Sequence, residues 1–340
     1  MSATTPVPDP TPVLDLLMAF RRSKVMFAGV TLGVFDALEA GPKTAAALAT
    51  ELNADAESLG RLLDATVGLQ LLTRTGESYA NTPAAAAYLT SASPRRLTGY
   101  LRFTDEILWK LWGNLADAIR DGTHGWKRTF GWDGPIFDQI FHTPELRREF
   151  TMGMHGMGVI SSPQVVAAFD LSRFKTLVDL GGATGHLAVA ACRRYTSLRA
   201  TVFDLPQVTP IARELVSASD VAARVDVASG DFFADELPAS DLYSLGRILH
   251  DWTDDKNLLL LKKIHARLPE GGALLVAEKL INDDRTGPDA AQMQDLNMLL
   301  VTEGKERTLA GYAQLLKSAG FAHVEGRTTS APVDAILAVK

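Results

Sequence analysis

His250 is the side chain of this sequence best suited to accept a proton near neutrality. It lies in the run Arg247-Ile248-Leu249-His250-Asp251-Trp252. Two carboxylates fall where they can flank it. Glu278 closes the apolar run Ala273-Leu274-Leu275-Val276-Ala277, and Glu306 sits in Gly304-Lys305-Glu306-Arg307-Thr308. An acid bonded to one ring nitrogen fixes the tautomer and stabilises the imidazolium formed when the other nitrogen takes a proton. Glu306 has a plainer reading as a charge near a helix N-terminus. Asp251, Asp254 and Asp255 read as a solvated helix start, so no metal site is expected.

The run Thr176-Leu177-Val178-Asp179-Leu180-Gly181-Gly182-Ala183-Thr184-Gly185 reads as a buried strand, a glycine turn and the start of a helix. Glycines there let a ligand lie against bare backbone. A second strand ends on Asp204, 19 residues past Gly185. At about that spacing an acid meets a ribose hydroxyl in dinucleotide folds. The glycines do not follow G-x-G-x-x-G, and Asp179 would repel a pyrophosphate while attracting an ammonium. S-adenosylmethionine is therefore favoured over a nicotinamide cofactor. Gly230-Asp231-Phe232-Phe233 suits adenine, with Asp231 accepting from the exocyclic amine and Phe232 stacking. The alternative is a loop with a packed aromatic.

The elements that must position these residues alternate. Strands are expected at 176–180, 199–203, 224–228, 241–248 and 272–277, with helices between them. A helix at 308–319 and strands at 323–328 and 334–339 follow, the last two forming an antiparallel hairpin. That pattern implies α/β architecture, a Rossmann-like doubly wound sheet. Asp179, Asp204, Asp231, His250 and Glu278 then all lie along the carboxyl edge of the strands, where such sheets bind ligands.

Upstream, 43–90 reads helix, helix, short strand, short strand, helix: a winged helix-turn-helix. Apolar residues recur at helical spacing from Val13 to Ala40, with a break near Gly33. Five acids against three bases in 43–90 disfavour a phosphate-binding surface, so dimerisation is the preferred use. Residues 96–168 look helical and are rich in aromatics, some of which suit the walls of a pocket for a flat ligand. The stretch Gly153-Met154-His155-Gly156-Met157-Gly158 is expected to be bent or closely approached. The expected division is 1–95, a mainly α-helical winged-helix dimerisation domain; 96–168, a helical linker and pocket segment; and 169–340, the cofactor-binding domain.

The chain has 340 residues, a net charge of −6 and a single cysteine, Cys192. The charge argues against nucleic acid. One cysteine excludes an internal disulfide and fits a reducing, cytoplasmic setting. No apolar run approaches a membrane span, residues 1–12 are expected to be disordered, and Met1 to Val13 does not read as a signal peptide.

In order, DLGGATG, VFDLP, GDFF, RILHDW, the glutamate closing LLVAE, and GKERT resemble the small-molecule O-methyltransferases, nearest the acetylserotonin type. The resemblance covers nearly the whole chain. It implies that Asp179, Gly181 and Gly185 hold the methionine end of S-adenosylmethionine, Asp204 the ribose, and Gly230, Asp231 and Phe232 the adenine. Arg247 would contact the cofactor. His250 would be the general base, flanked by Glu278 and Glu306. Met154, Asp251, Asn297 and Val301 would meet a small aromatic hydroxylated substrate. Val301 stands where the acetylserotonin type carries a substrate-binding glutamine, Gly158 where it carries a cofactor-side tryptophan, and Ala183 where many relatives have glycine. A homodimer is implied. The rival readings are N-methylation or non-methyl chemistry on the same fold, a winged-helix metabolite-sensing regulator, and a nicotinamide dehydrogenase.

Overall fold

A computed structural model describes residues 7–340, which form two compact units, one reaching to Asp105 and one running from Glu106 to Lys340. The disorder expected for 1–12 lies, for residues 1–6, outside the described residues. Residues 11 and 12 are already helical. The Asp9 carboxylate accepts the Thr11 N–H at 3.0 Å, and Pro12 fits the first helical turn, where its missing N–H costs nothing.

In the first unit, Thr11–Thr31 and Val34–Ala37 are helices separated at Gly33, whose φ of 78° ends the first. Helices Ala45–Glu51, Ala56–Gly68 and Pro83–Tyr88 surround the hairpin Leu72–Thr75 and Ser78–Asn81. Thr44, Asp55 and Thr82 cap these helices by accepting backbone N–H groups. The expected winged helix-turn-helix order is present. A third strand, Lys43–Thr44, which was not expected, pairs with Ser78–Asn81. Phe35, Leu48, Leu63 and Leu72 fill the core. Leu14, Leu16, Leu17 and Phe20 of the first helix form an exposed apolar stripe, the kind of patch that marks an interaction surface.

The second unit is built on a seven-stranded sheet: β1 Thr176–Leu180, β2 Arg199–Asp204, β3 Val225–Ser229, β4 Leu242–Gly246, β5 Ala273–Glu278, β6 His323–Arg327 and β7 Asp334–Val339. Its order is β6-β7-β5-β4-β1-β2-β3. β7 is antiparallel to its two neighbours, and the other pairings are parallel. Both faces are covered, which is why β5 is buried at every position. Strand order reverses between β1 and β4, and the crevice beyond their carboxyl ends is where such a sheet takes a ligand.

Two expectations fail here. The 230–241 connection carries no helix. Asp231 and Asp235 spend their carboxylates on local N–H groups (Phe233 to Asp231, Asp231 to Asp235, each 2.8 Å), and Pro238 follows. Such bonds compete with helix formation. The fourth strand also stops at Gly246 rather than 248, because the backbone turns left-handed at Arg247, φ 56°.

Helix Pro144–Ala167 runs unbroken through the glycine-rich stretch. A Cβ at Gly158 would lie 2.3 Å from the His186 ring, so this glycine serves close approach. Cys192 is a fully buried packing residue. Among the described residues no helix is long and apolar enough to cross a membrane.

Candidate active site

β1 and β4 pair with Asp179 opposite Ser244. The Ser244 hydroxyl donates to Asp179 Oδ1 at 2.6 Å, while Oδ2 is buried without a hydrogen-bond partner. Burial pushes the Asp179 carboxyl up to about 7, against the pull of Ser244. An unpaired buried carboxylate oxygen beside the glycine turn suits a cationic ligand.

The turn itself is held from β2. Gly181 N–H donates to Phe203 O at 2.8 Å, and Ala183 N–H to Asp204 Oδ2 at 2.7 Å. Asp204 Oδ1 takes the Leu205 N–H. Burial raises Asp204 to about 6, and those two amides oppose it. Gly181 and Gly185 have φ of 64° and 78°. A Cβ at Gly185 would press on Val202 and Val216 at 2.8 and 2.9 Å. Gly230 N–H bonds Asp204 O at 2.9 Å, so Asp204 joins the glycine turn to the Gly230-Asp231-Phe232 loop. Lys263 fixes that loop through the carbonyls of Phe232 and Phe233. Phe232, Phe233, Trp252, Phe137, Phe141 and Phe150 form a continuous chain of ring contacts, centroids 4.8 to 5.8 Å apart.

The imidazole cluster is assembled by a parallel two-stranded pairing absent from the sequence reading. Leu280–Ile281 pairs with Arg307–Thr308, which brings Glu278, two residues before the first of these strands, beside Glu306, the residue just before the second. His250 Nδ1 lies 2.6 Å from Glu306 Oε1 and 3.1 Å from Glu278 Oε2. Glu278 Oε1 accepts the N–H groups of Ile248, Leu249 and His250, at 3.0, 2.8 and 3.3 Å. That carboxylate takes over where the strand ladder ends. Asp295 holds the Glu306 backbone N–H at 2.9 Å. Burial alone disfavours the imidazolium, yet Glu278, Glu306 and Asp251 together hold its pKa well above the ordinary histidine value. Burial pushes Glu278 up, with His250 pulling against it. Ligand-type atoms of His250, Glu278 and Glu306 lie within 4.8 Å of one another, a spacing a metal ion also uses. Here Nδ1 and Glu278 Oε1 are already committed to hydrogen bonds.

Asp251 corrects an expectation. It is not part of the solvated helix start, since its side chain is largely buried with Oδ1 3.6 Å from His250 Nε2. Burial raises it to about 6, and His250 pulls it down. Asp254 does begin the helix Asp254–Arg267, where it pairs with Arg307 and Lys305. Arg247 donates its N–H to Ala277 O at 3.0 Å, and its charge acts on Asp251 and Glu278.

Asn297 is buried on the helix Asp289–Val301 and accepts the Trp112 indole N–H at 3.0 Å. Val301 is buried too, with its carbonyl taking the Trp126 indole N–H. Met154 is half-buried on Pro144–Ala167, and no hydrogen bond joins it to the imidazole cluster. The sequence reading gave no role to two further histidines. His155 Nδ1 bonds Thr184 Oγ1 and His186 Nδ1 bonds Ser162 Oγ, both at 2.8 Å, tying the glycine turn to the long helix. Enclosure, then the charges of His155 and Arg247, push His186 down to about 3. Its position directly after Gly185 was the available signal.

A family model described as an O-methyltransferase domain matches residues 112–322, and one described as an O-methyltransferase dimerisation domain matches residues 14–91. The chain is 41% identical over 333 residues to human acetylserotonin O-methyltransferase, covering 96% of each. It is 40% identical over 336 residues to the human "Probable bifunctional dTTP/UTP pyrophosphatase/methyltransferase protein", covering 98% of this chain and 54% of that one. It thus spans about half of that relative's length. The solved structure of human N-acetylserotonin methyltransferase in complex with S-adenosylmethionine matches with a TM-score of 0.92 at 39% identity, covering 100% of this chain and 99% of that one. PigF with S-adenosylhomocysteine matches at 0.88 and 28% identity, covering 98% and 100%.

Proposed function

This chain belongs to the S-adenosylmethionine-dependent O-methyltransferase family, in its acetylserotonin type, and from that premise we propose that His250 is the general base acting on a hydroxyl of a small aromatic substrate. The observation that carries the reading is the pairing of His250 Nδ1 with Glu306 and Glu278, which leaves Nε2 to take a proton. The regulator and dehydrogenase readings have no support beside that membership.

S-adenosylmethionine, when bound, supplies a methyl group made electrophilic by its sulfonium. Asp179, Gly181, Gly185, Asp204, Gly230, Asp231, Phe232 and Arg247 would hold it. The fit rests on the unpaired Asp179 oxygen and on a crevice lined by acids. His250 Nε2 accepts the hydroxyl proton, and Glu306 and Glu278 stabilise the imidazolium. A phenol titrates near 10 if it resembles tyrosine. A base made stronger by three carboxylates approaches that value, so proton transfer runs close to level. General-base help is typically about 10²–10⁴-fold, and holding the hydroxyl in place can supply about 7–11 kcal/mol more. The ring chain from Phe232 to Phe150 supports a flat aromatic substrate, with Met154, Asp251, Asn297 and Val301 at its walls.

The reading extends to the chain's organisation. Residues 1–95 dimerise, 96–168 wall the pocket, and 169–340 bind the cofactor and carry the chemistry, in a homodimer located in the cytoplasm. The test is His250→Gln. Turnover of hydroxylated indoles and phenols with labelled cofactor should fall by about 10²-fold or more, while calorimetric affinity for S-adenosylmethionine stays within about twofold. Unchanged turnover would remove His250 from the mechanism.

A further inference from the structure

His186 follows Gly185 directly and opens the helix His186–Arg194, so it stands at the carboxyl edge of β1, where the glycine turn ends. Its ring seats over Gly158, on ground that any side chain at 158 would take. Nδ1 lies 2.8 Å from Ser162 Oγ. Ser162 is buried, and its hydroxyl has no other partner among the described residues. A buried hydroxyl proton needs an acceptor, and here only Nδ1 can be one. Nδ1 therefore accepts, and the neutral ring carries its proton on Nε2. The ring is neutral because enclosure and the charges of His155 and Arg247 disfavour the imidazolium. Nε2 makes no hydrogen bond among the described residues, and it is not sealed from solvent. The side chain is enclosed yet partly accessible, as a residue on the wall of a cleft is.

Arg247 adjoins the same turn. Its neighbour Ile248 packs so closely there that a Cβ at Gly181 would lie 2.5 Å from it. The Arg247 charge acts on the His186 ring, and its guanidinium has no hydrogen bond or ion pair among the described residues. Two open donors, one of them cationic, thus share the turn with the unpartnered Asp179 oxygen. An α-amino-acid group asks for that set: an acceptor for its ammonium and donors for its carboxylate.

We propose that His186 is a further cofactor-binding residue, whose Nε2–H donates, beside the Arg247 guanidinium, to the carboxylate at the methionine end of S-adenosylmethionine. This rests on the reading that the glycine turn and Arg247 hold that end. Ser162 fixes the tautomer, and the bare backbone at Gly158 gives the ring its place. A neutral donor adds a hydrogen bond without a second cation to repel Arg247 or the sulfonium.

Calorimetry with S-adenosylhomocysteine and with its decarboxylated analogue, in which a hydrogen replaces the carboxylate, tests the proposal without turnover. The wild-type protein should bind S-adenosylhomocysteine about tenfold or more tighter than the analogue. His186→Asn leaves an acceptor for Ser162 and removes the Nε2–H. It should weaken S-adenosylhomocysteine by about tenfold and the analogue by less than about twofold. His186→Gln, which returns a donor near the place of Nε2, should recover part of the loss. Equal losses for the two ligands in His186→Asn, or no loss, overturn the proposal. Arg247→Gln separates the two ways of failing. If it weakens S-adenosylhomocysteine selectively while His186→Asn does not, His186 alone falls; if neither variant acts on the carboxylate, the placement of the methionine end falls with it. In long-range ¹H–¹⁵N spectra of the ligand-free protein, the His186 ring, assigned through His186→Asn, should stay the neutral Nε2–H tautomer between about pH 5 and 8. A proton on Nδ1 in that interval also overturns the proposal.

Discussion

The Nδ1 atom of His250 lies 2.6 Å from Oε1 of Glu306, and both side chains are almost wholly buried. Because Glu306 raises the basicity of the ring, removing its charge should lower the His250 pKa. In Glu306→Gln the rising alkaline limb of kcat/KM should therefore move to lower pH, and the limiting rate should drop by about tenfold or more. A pH–rate profile whose limb stays in place would show that Glu306 does not tune the base.

Asp179 and Asp204 carry carboxyl pKa values raised to about 7 and about 6. Both are largely protonated at pH 5 and ionised by pH 8, so affinity for the cationic S-adenosylmethionine should tighten across that interval. The ligand-free protein behaves oppositely. Between about pH 4 and 7 the folded state binds more protons than the unfolded one, so these groups make stability fall as pH rises. Calorimetric titrations at pH 5.5 and 8 check the first statement, and thermal melts the second. A flat affinity would take both acids out of cofactor binding.

Gly185 combines a left-handed φ of 78° with contacts that leave no room for a methyl group. Gly185→Ala should destabilise the protein by about 2–4 kcal/mol, from backbone strain plus overpacking against Val202 and Val216. A melting temperature within a degree of wild type would mean that the turn relaxes easily.

The exposed stripe on Thr11–Thr31 belongs to the dimerisation domain. Charging it with Leu17→Asp and Phe20→Asp together should convert particles of twice the chain mass into 36.6 kDa monomers in light scattering. Retention of the dimer would place the interface elsewhere.

Most of the sheet was legible because parallel strands covered on both faces are short apolar runs, and three of them carry an acid at or next to the carboxyl end: Asp179, Asp204 and Glu278. His250 and its two glutamates were legible from residue type alone. The device that unites them was not. Leu280–Ile281 and Arg307–Thr308 pair over only two residues each, too short for alternation to register. The Asp231 loop misled because its aspartates bond locally, and Asp251 because a run of acids resembles a helix start. The hydrogen bonds of His155 and His186 were not legible because their partners lie 29 and 24 residues away.

The contact between Gly158 and the His186 ring carries a consequence for descent. A lineage can acquire a side chain at 158 only after position 186 has shrunk, and it can acquire the imidazole at 186 only while 158 stays bare. Of the two orders in which such a pair can change, one passes through a sequence that does not fold well. Any ancestor that carried bulk at 158 would therefore have had to lose it before the histidine arrived.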